Sequence, residues 1–389
     1  MGAAAAGGGR RIRLACHMPV SPPGLAAKIA RRIRRGGPLS IAAFMAMALH
    51  DPDSGYYARR DPLGSAGDFV TAPEISQIFG ELIGVCLADF WQRIGRPDPV
   101  ILAELGPGRG TLMADLLRAA QAVPGFRRAL RLHLVEASPV LREVQRRRLA
   151  EAEPHFAEGI DALPEGPLLL VANEFLDALP IRQLVRGRHG WAERLVALDA
   201  AESLAIVESP ESPALALLIP AALRDAPPGT VVEICPAAAA LAAALGDRLA
   251  RRPDPAPGMA LFIDYGYFPH RSGATLAAVR RHAAASLLEA PGEADLSAHV
   301  DFAAFAEAAG AAGAAVHGPV SQGAFLRALG AEARLAALSR GATAAQRARL
   351  ESGLARLLDP AQMGNLFKVM ALTSPELPPP AGFATTANR

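Results

Sequence analysis

The 389-residue chain has three cysteines, Cys16, Cys86 and Cys235, and they lie far apart. No CxxC pair or Cys/His ligand spacing joins them, which argues against a disulfide framework and gives no metal site. No apolar run approaches the roughly 20 residues that cross a bilayer, so stable membrane insertion is not expected. The stretch "IAAFMAMALH" (41–50) is too short for that and reads as a core helix. Charge of one sign is also missing: 40 basic against 38 acidic residues leave a formal net charge of +2. That balance supplies no field for nucleic acid. Lysine is nearly absent, with Lys28 and Lys368 alone among the basic residues, a bias read as a property of GC-rich coding. What remains is a chain that is 51% hydrophobic and 20% charged, able to bury a large core in a reducing compartment. That compartment is expected to be the cytoplasm of a bacterium, or the mitochondrial matrix if the source is eukaryotic.

Residues 1–20 hold no acidic residue and are rich in Gly, Ala and Arg. They read as a leader, a disordered tail or a misassigned start ahead of Met18, and are set outside the fold. Residues 21–98 read as a helical cap with a long loop, "DPDSGYYARRDPLGSAGDFVTAPEIS" (51–76), too long to be mere connection. From residue 99 the pattern alternates. "PVILAEL" is a strand, "GTLMADLLRAAQAV" a helix, and "RLHLVEA" a strand. "SPVLREVQRRRLAEA" is a helix opened by Ser138 and Pro139, and "GPLLLVANEF" and "GMALFIDYGY" are buried strands. Such alternation predicts a doubly wound α/β sheet over 99–374. An insertion at about 181–257 interrupts it, opening with a hairpin whose turn lies near Gly190. "AHVDFAAFAEAAGAAGAAV" and "GAFLRALGAEARLAAL" read as helices, "NLFKVMALTS" as a closing strand, and 375–389 as a flexible tail.

The chemistry starts at "ELGPGRG" (104–110). A strand, then Gly106, Gly108 and Gly110, then a helix, offers backbone N–H groups and a helix N-terminus to a nucleotide-like ligand. The third glycine comes one residue earlier than in the dinucleotide fingerprint G-x-G-x-x-G, and Thr111 holds the fingerprint position. Glu104, just before the loop, would repel a pyrophosphate but welcome an ammonium or sulfonium group. Glu136, at the end of the next strand, is placed for the ribose hydroxyls. The sign of Glu104 therefore favours S-adenosylmethionine over NAD. The opposing reading, a tight turn flanked by solvated glutamates, is weakened by the two acids standing at successive strand ends.

In "VANEFLDALP" (171–180), Asn173, Glu174 and Asp177 leave a buried strand at the same sheet edge. If the acceptor is an arginine, Glu174 and Asp177 could clamp its guanidinium and accept a proton. On the plainer reading Asn173 caps a helix whose first turn carries the two acids. Asp68, Thr71 and Glu74 in "GDFVTAPEIS" are candidate lid residues, and Tyr265 in "IDYGY" either faces substrate or packs. His299 beside Asp301 has no nucleophile for company and reads as structural.

Taken in order, "GDFVTAPEISQIFGELIG", "LAELGPGRGTLMADLLR", "LVEASPVLREVQ", "VANEFLDALPIRQ", "FIDYG", "DLSAHVDF" and "GNLFKVM" resemble the MidA-type proteins. These are bacterial and mitochondrial relatives of a complex I assembly factor that acts as a protein arginine methyltransferase. The resemblance runs from about residue 20 to 373. It implies a class I, Rossmann-like S-adenosylmethionine-dependent methyltransferase fold. It also implies symmetric dimethylation of an arginine in a peripheral-arm subunit of NADH:ubiquinone oxidoreductase. By position, Gly106, Pro107, Gly108 and Gly110 would border the methionine moiety and Glu136 the ribose. A non-catalytic assembly chaperone and an NAD-dependent oxidoreductase are the rival readings.

Overall fold

The computed structural model describes residues 24–59, 71–251 and 256–383. Among the described residues the central sheet has seven strands in its main path, β1 Val100–Leu105, β2 Leu130–Val135, β3 His155–Ala157, β4 Leu168–Asn173, β5 Gly258–Tyr267, β6 Ala315–Ser321 and β7 Phe367–Thr373, and a two-residue strand, Val300–Asp301, that pairs with β5. The spatial order of the seven is β6-β7-β5-β4-β1-β2-β3. β1 to β5 pair in parallel, whereas β7 runs antiparallel to both β5 and β6. All six residues of β1 and of β4 are buried, as expected of strands covered on both faces. The chain winds outward through β1, β2 and β3, then restarts at β4 on the other side of β1. That reversal opens a crevice at the carboxyl ends of β1 and β4, where such sheets bind ligands.

The cap holds helices α1 (Leu25–Gly36) and α2 (Ile41–His50), and then the short α3 (Ala72–Ile75). On one face of the sheet lie α4 (Gln77–Arg93) and α5 (Thr111–Ala120), which meet where Gly80 and Gly84 let α4 approach; a Cβ at Gly80 would come 2.7 Å from that of Asp115. α6 (Pro139–Arg148) follows β2 and starts where expected, with the Ser138 side chain accepting from the Leu141 N–H and Pro139 in the first turn. α7 (Pro236–Ala250) and α8 (Phe302–Ala311) cover the other face, so the sheet separates two apolar clusters.

Between β4 and β5 the chain forms antiparallel strands at Arg182–Arg186, Trp191–Leu198, Leu204–Glu208 and Val231–Ile234. The first two make the expected hairpin across residues 187–190. The N-terminal cap adds a short strand to this sheet, Leu39 pairing with Val196 and Ser40 with Leu195. Cap and insertion therefore form one layer beside the carboxyl edge.

Four local expectations are corrected. "AHVDFAAFAEAAGAAGAAV" is helical only over α8, because the Asp301 side chain caps it by accepting from the Ala303 and Ala304 N–H groups. "GAFLRALGAEARLAAL" divides into α9 (Gln322–Ala328) and α10 (Ala331–Ser339) at Gly330, which takes a φ of 90°. Residues 375–383 are not a loose tail: Phe383 is buried against Phe325 and His317, and Cys86 donates to the Ala381 carbonyl. No helix follows Asn173, where the chain turns instead. Two further features lack a counterpart in the sequence reading, a small sheet of Ala277–Arg280, Ala283–Ala285 and Asp295–Ser297, and α11 (Ala344–Leu358), opened by a Thr343/Gln346 capping box.

Candidate active site

A cavity of about 660 Å³ opens at the crevice between β1 and β4. That volume lies in the range of small-molecule sites. Its floor is the loop after β1, where Gly106, Gly108 and Gly110 all adopt left-handed backbones, with φ of 60°, 53° and 74°. Side chains are disfavoured in that region. Space makes the same demand, since a Cβ at Gly106 would sit 2.9 Å from the Phe175 ring. The Gly110 N–H closes the turn on the Pro107 carbonyl at 2.7 Å and leads into α5.

Two carboxylates flank this cradle. Glu104 is 2% exposed, and its Oε2 has no hydrogen-bond partner. Burial, and then the nearby Glu136 charge, push its pKa up to about 8. An orphaned buried carboxylate at the loop that cradles the ligand calls for a cation, and a pyrophosphate there would meet charge of its own sign. Glu136 directly follows β2, where burial raises its pKa. Its Oε1 accepts from the Ser138 N–H at 2.8 Å and its Oε2 from Gln145 at 3.1 Å. Gln145 also donates to the Gly108 carbonyl at 2.6 Å, tying the glycine loop to the second strand end. The residues present thus fit a ligand with a cationic end and a ribose: a backbone cradle, an unpaired acid at one end, and a fixed acid with spare lone pairs at the next.

On the facing wall, Asn173 and Glu174 line the cavity. Glu174 holds a φ of 50°, unusual for a side chain of its size. Its Oε1 accepts from the Ala72 N–H at 3.1 Å and from Asn173 Nδ2 at 3.0 Å, both neutral donors. Burial and the Asp177 charge raise its pKa to about 7. The Asn173 Oδ1 has no partner. Asp177 lies behind this wall rather than on it; its carboxylate is bonded by the Tyr265 hydroxyl, and burial raises its pKa to about 6. Tyr265 packs edge-on against His299 and Phe367 and does not line the cavity, so its expected contact with substrate is replaced by support of Asp177.

The segment carrying α3 roofs the site. Thr71 and Glu74 line the cavity, and Glu74 accepts a hydrogen bond from the Thr111 hydroxyl, which also receives Arg148. Thr111 is thus occupied in holding the roof. Asp68 lies outside the described residues. Sequence reasoning did not single out His50, Tyr57 or Phe175, which also line the cavity. Tyr57 donates to Asp295 at 2.8 Å and stacks with His50, contacts made across the fold that no local pattern announces. Gln145 did leave a signal: it follows Leu141 by four residues, and these two are the buried residues of α6. His299 is not paired with Asp301, which instead binds His270 at 2.8 Å.

The family described as "Putative S-adenosyl-L-methionine-dependent methyltransferase" matches residues 82–320. The protein arginine methyltransferase NDUFAF7 of Xenopus tropicalis mitochondria is 36% identical, across 91% of this chain and 87% of its own. The human mitochondrial protein of that name is 33% identical, across 91% and 84%. A crystal structure from Burkholderia thailandensis, bound to S-adenosyl-homocysteine, is 30% identical with a TM-score of 0.80, covering 94% of this chain and 95% of that one.

Proposed function

The chain belongs to this S-adenosylmethionine-dependent methyltransferase family, and we propose that its acceptor is the guanidinium of an arginine in a protein. The observation that carries the proposal is Glu174: a carboxylate on the cavity wall, bonded among the described residues by neutral groups, with Asp177 and Asp264 buried behind it. Three acids clustered with no hydrogen-bonded cation among the described residues form a site that a cationic side chain completes. The curated relatives are arginine methyltransferases by name, which agrees with that chemistry.

When bound, S-adenosylmethionine supplies an electrophilic methyl group on a positively charged sulfur. The glycine loop would border its methionine moiety and Glu136 its ribose, with Glu104 at the cationic end. Asn173 Oδ1 and Glu174 orient the guanidinium, so that the attacking nitrogen is aligned before reaction. Glu174, with a pKa near neutrality, then takes the proton which the methylated nitrogen gives up. The roof formed by α3 keeps water from the reacting groups. Within this reading the acceptor protein is a peripheral-arm subunit of complex I, the product is symmetric dimethylarginine, and the compartment is the bacterial cytoplasm.

Mass spectrometry of methylated arginines in source cells with and without the gene tests the proposal. A dimethylarginine site in a complex I subunit should disappear with the gene. Persistence of every methylarginine site would defeat it.

A further inference from the structure

Asp264 stands on β5, one strand away from the acceptor wall, and is 1% exposed. It does not line the cavity, yet its carboxylate collects four backbone N–H groups. Oδ2 accepts from Phe175 at 3.1 Å, Leu176 at 2.8 Å and Asp177 at 3.2 Å, and Oδ1 accepts from Tyr265 at 2.9 Å. These three consecutive amides belong to the turn directly after Glu174. The Glu174 N–H is held in turn by the Ile263 carbonyl at 2.9 Å, so the residue is clamped from both sides by β5. No helix follows to satisfy these amides, and buried N–H groups without partners are costly. A glutamate kept at a φ of 50° persists only where its surroundings over-determine it.

We propose that Asp264 is the positioning residue of the acceptor site: it gathers the 175–177 amides into a turn that forces Glu174 into its left-handed backbone and aims that carboxylate into the cavity. The proposal rests on the reading of Glu174 as the acceptor-side acid. Asp264 acts through the turn; burial, and then the charges of Asp177 and Glu174, raise its own pKa.

Asp264→Asn keeps the shape but replaces one acceptor oxygen by a donor. Three readouts on the full chain test the proposal. Hydrogen exchange, which needs no acceptor, should accelerate at least tenfold at the amides of residues 175–177 while the glycine-loop amides keep their protection. Affinity for S-adenosylhomocysteine, measured by calorimetry, should stay within about twofold of wild type. Methyl transfer from S-adenosylmethionine to protein extract from cells lacking the gene should fall at least tenfold in rate. Unchanged exchange, a parallel loss of cofactor affinity, or an unchanged transfer rate overturns the proposal. Absence of transfer by wild-type protein, with the exchange result intact, would instead defeat the arginine reading alone. If Asp264→Asn does not fold, Glu174→Gly and Glu174→Ala decide: the glycine variant must melt higher, and equal midpoints refute an enforced left-handed turn.

Discussion

Replacing Glu104 by glutamine removes the charge that the cofactor's cationic end meets and changes little else in shape. Because the free carboxyl has a pKa of about 8, about one molecule in eleven is ionised at pH 7. Cofactor binding at that pH must first expel the proton, at a cost of about 1.4 kcal/mol. A charge-assisted contact contributes about 1.5–3 kcal/mol, so between about half and nearly all of it is consumed at pH 7, and nearly all of it is available at pH 9. The ratio of wild-type to Glu104→Gln affinity should therefore rise about tenfold between pH 7 and pH 9, from between about one- and tenfold to between about ten- and a hundredfold. Taking the ratio at each pH removes the titration of the cofactor's own amine, whose range overlaps. Calorimetry in two buffers of different ionisation heat should also find close to one proton released per cofactor bound at pH 7, and far fewer with the variant. An affinity ratio that does not change with pH, with no proton release, refutes the placement of Glu104.

Gly110→Ala puts a Cβ 3.2 Å from Leu149 at a φ of 74°, and should weaken S-adenosylhomocysteine binding about tenfold by calorimetry, from about 1–2 kcal/mol of backbone strain. Glu81 is buried and bonded by Arg334 at 2.7 and 3.0 Å and by Arg118 at 3.1 Å; Glu81→Gln should lower unfolding stability in urea by about 2–4 kcal/mol. Burial works against the Glu81 charge, but bonds from Arg334 and Arg118 win and hold its pKa below the ordinary value. Its contribution is therefore present above the unfolded glutamate pKa of about 4.3 and is lost as pH falls through the lower folded value, a dependence the variant should lack. Gly353→Val on α11 would set a Cβ 3.0 Å from the Ile75 carbonyl. It should displace α3 and reduce methyl transfer severalfold, with thermal stability reduced far less.

The strand-helix alternation from residue 99 made the sheet legible, because parallel strands buried on both faces leave continuous apolar runs such as "LLLVAN". Glu104, Gly106, Gly108 and Glu136 were legible for a related reason: ligands meet a doubly wound sheet at strand ends, so residue type there carries chemical meaning. Distance in sequence hid the rest. Asp264 lies 87 to 89 positions from the amides it holds, and no local pattern records that pairing. Tyr265 shows the same limit, since its position at a strand end resembled a substrate contact until packing turned it toward Asp177. Asn173 followed by two acids imitates a helix start, and only the pull of Asp264 on the next three amides makes the segment a turn. The C-terminal residues 375–383 are proline-rich, and the buried Phe383, Leu377 against the core and bonds to the Pro379 and Ala381 carbonyls seat them.

The central claim is that this cavity directs methyl groups to arginine. Purified protein, S-adenosylmethionine labelled in its methyl group, and extract from cells lacking the gene provide the direct test, followed by hydrolysis and separation of the labelled amino acids. Label should appear in methylated arginine with the wild-type chain and fall to background with Glu174→Gln, whose cofactor affinity should be kept. Label confined to another amino acid, or equal labelling by the Glu174→Gln variant, would contradict the account.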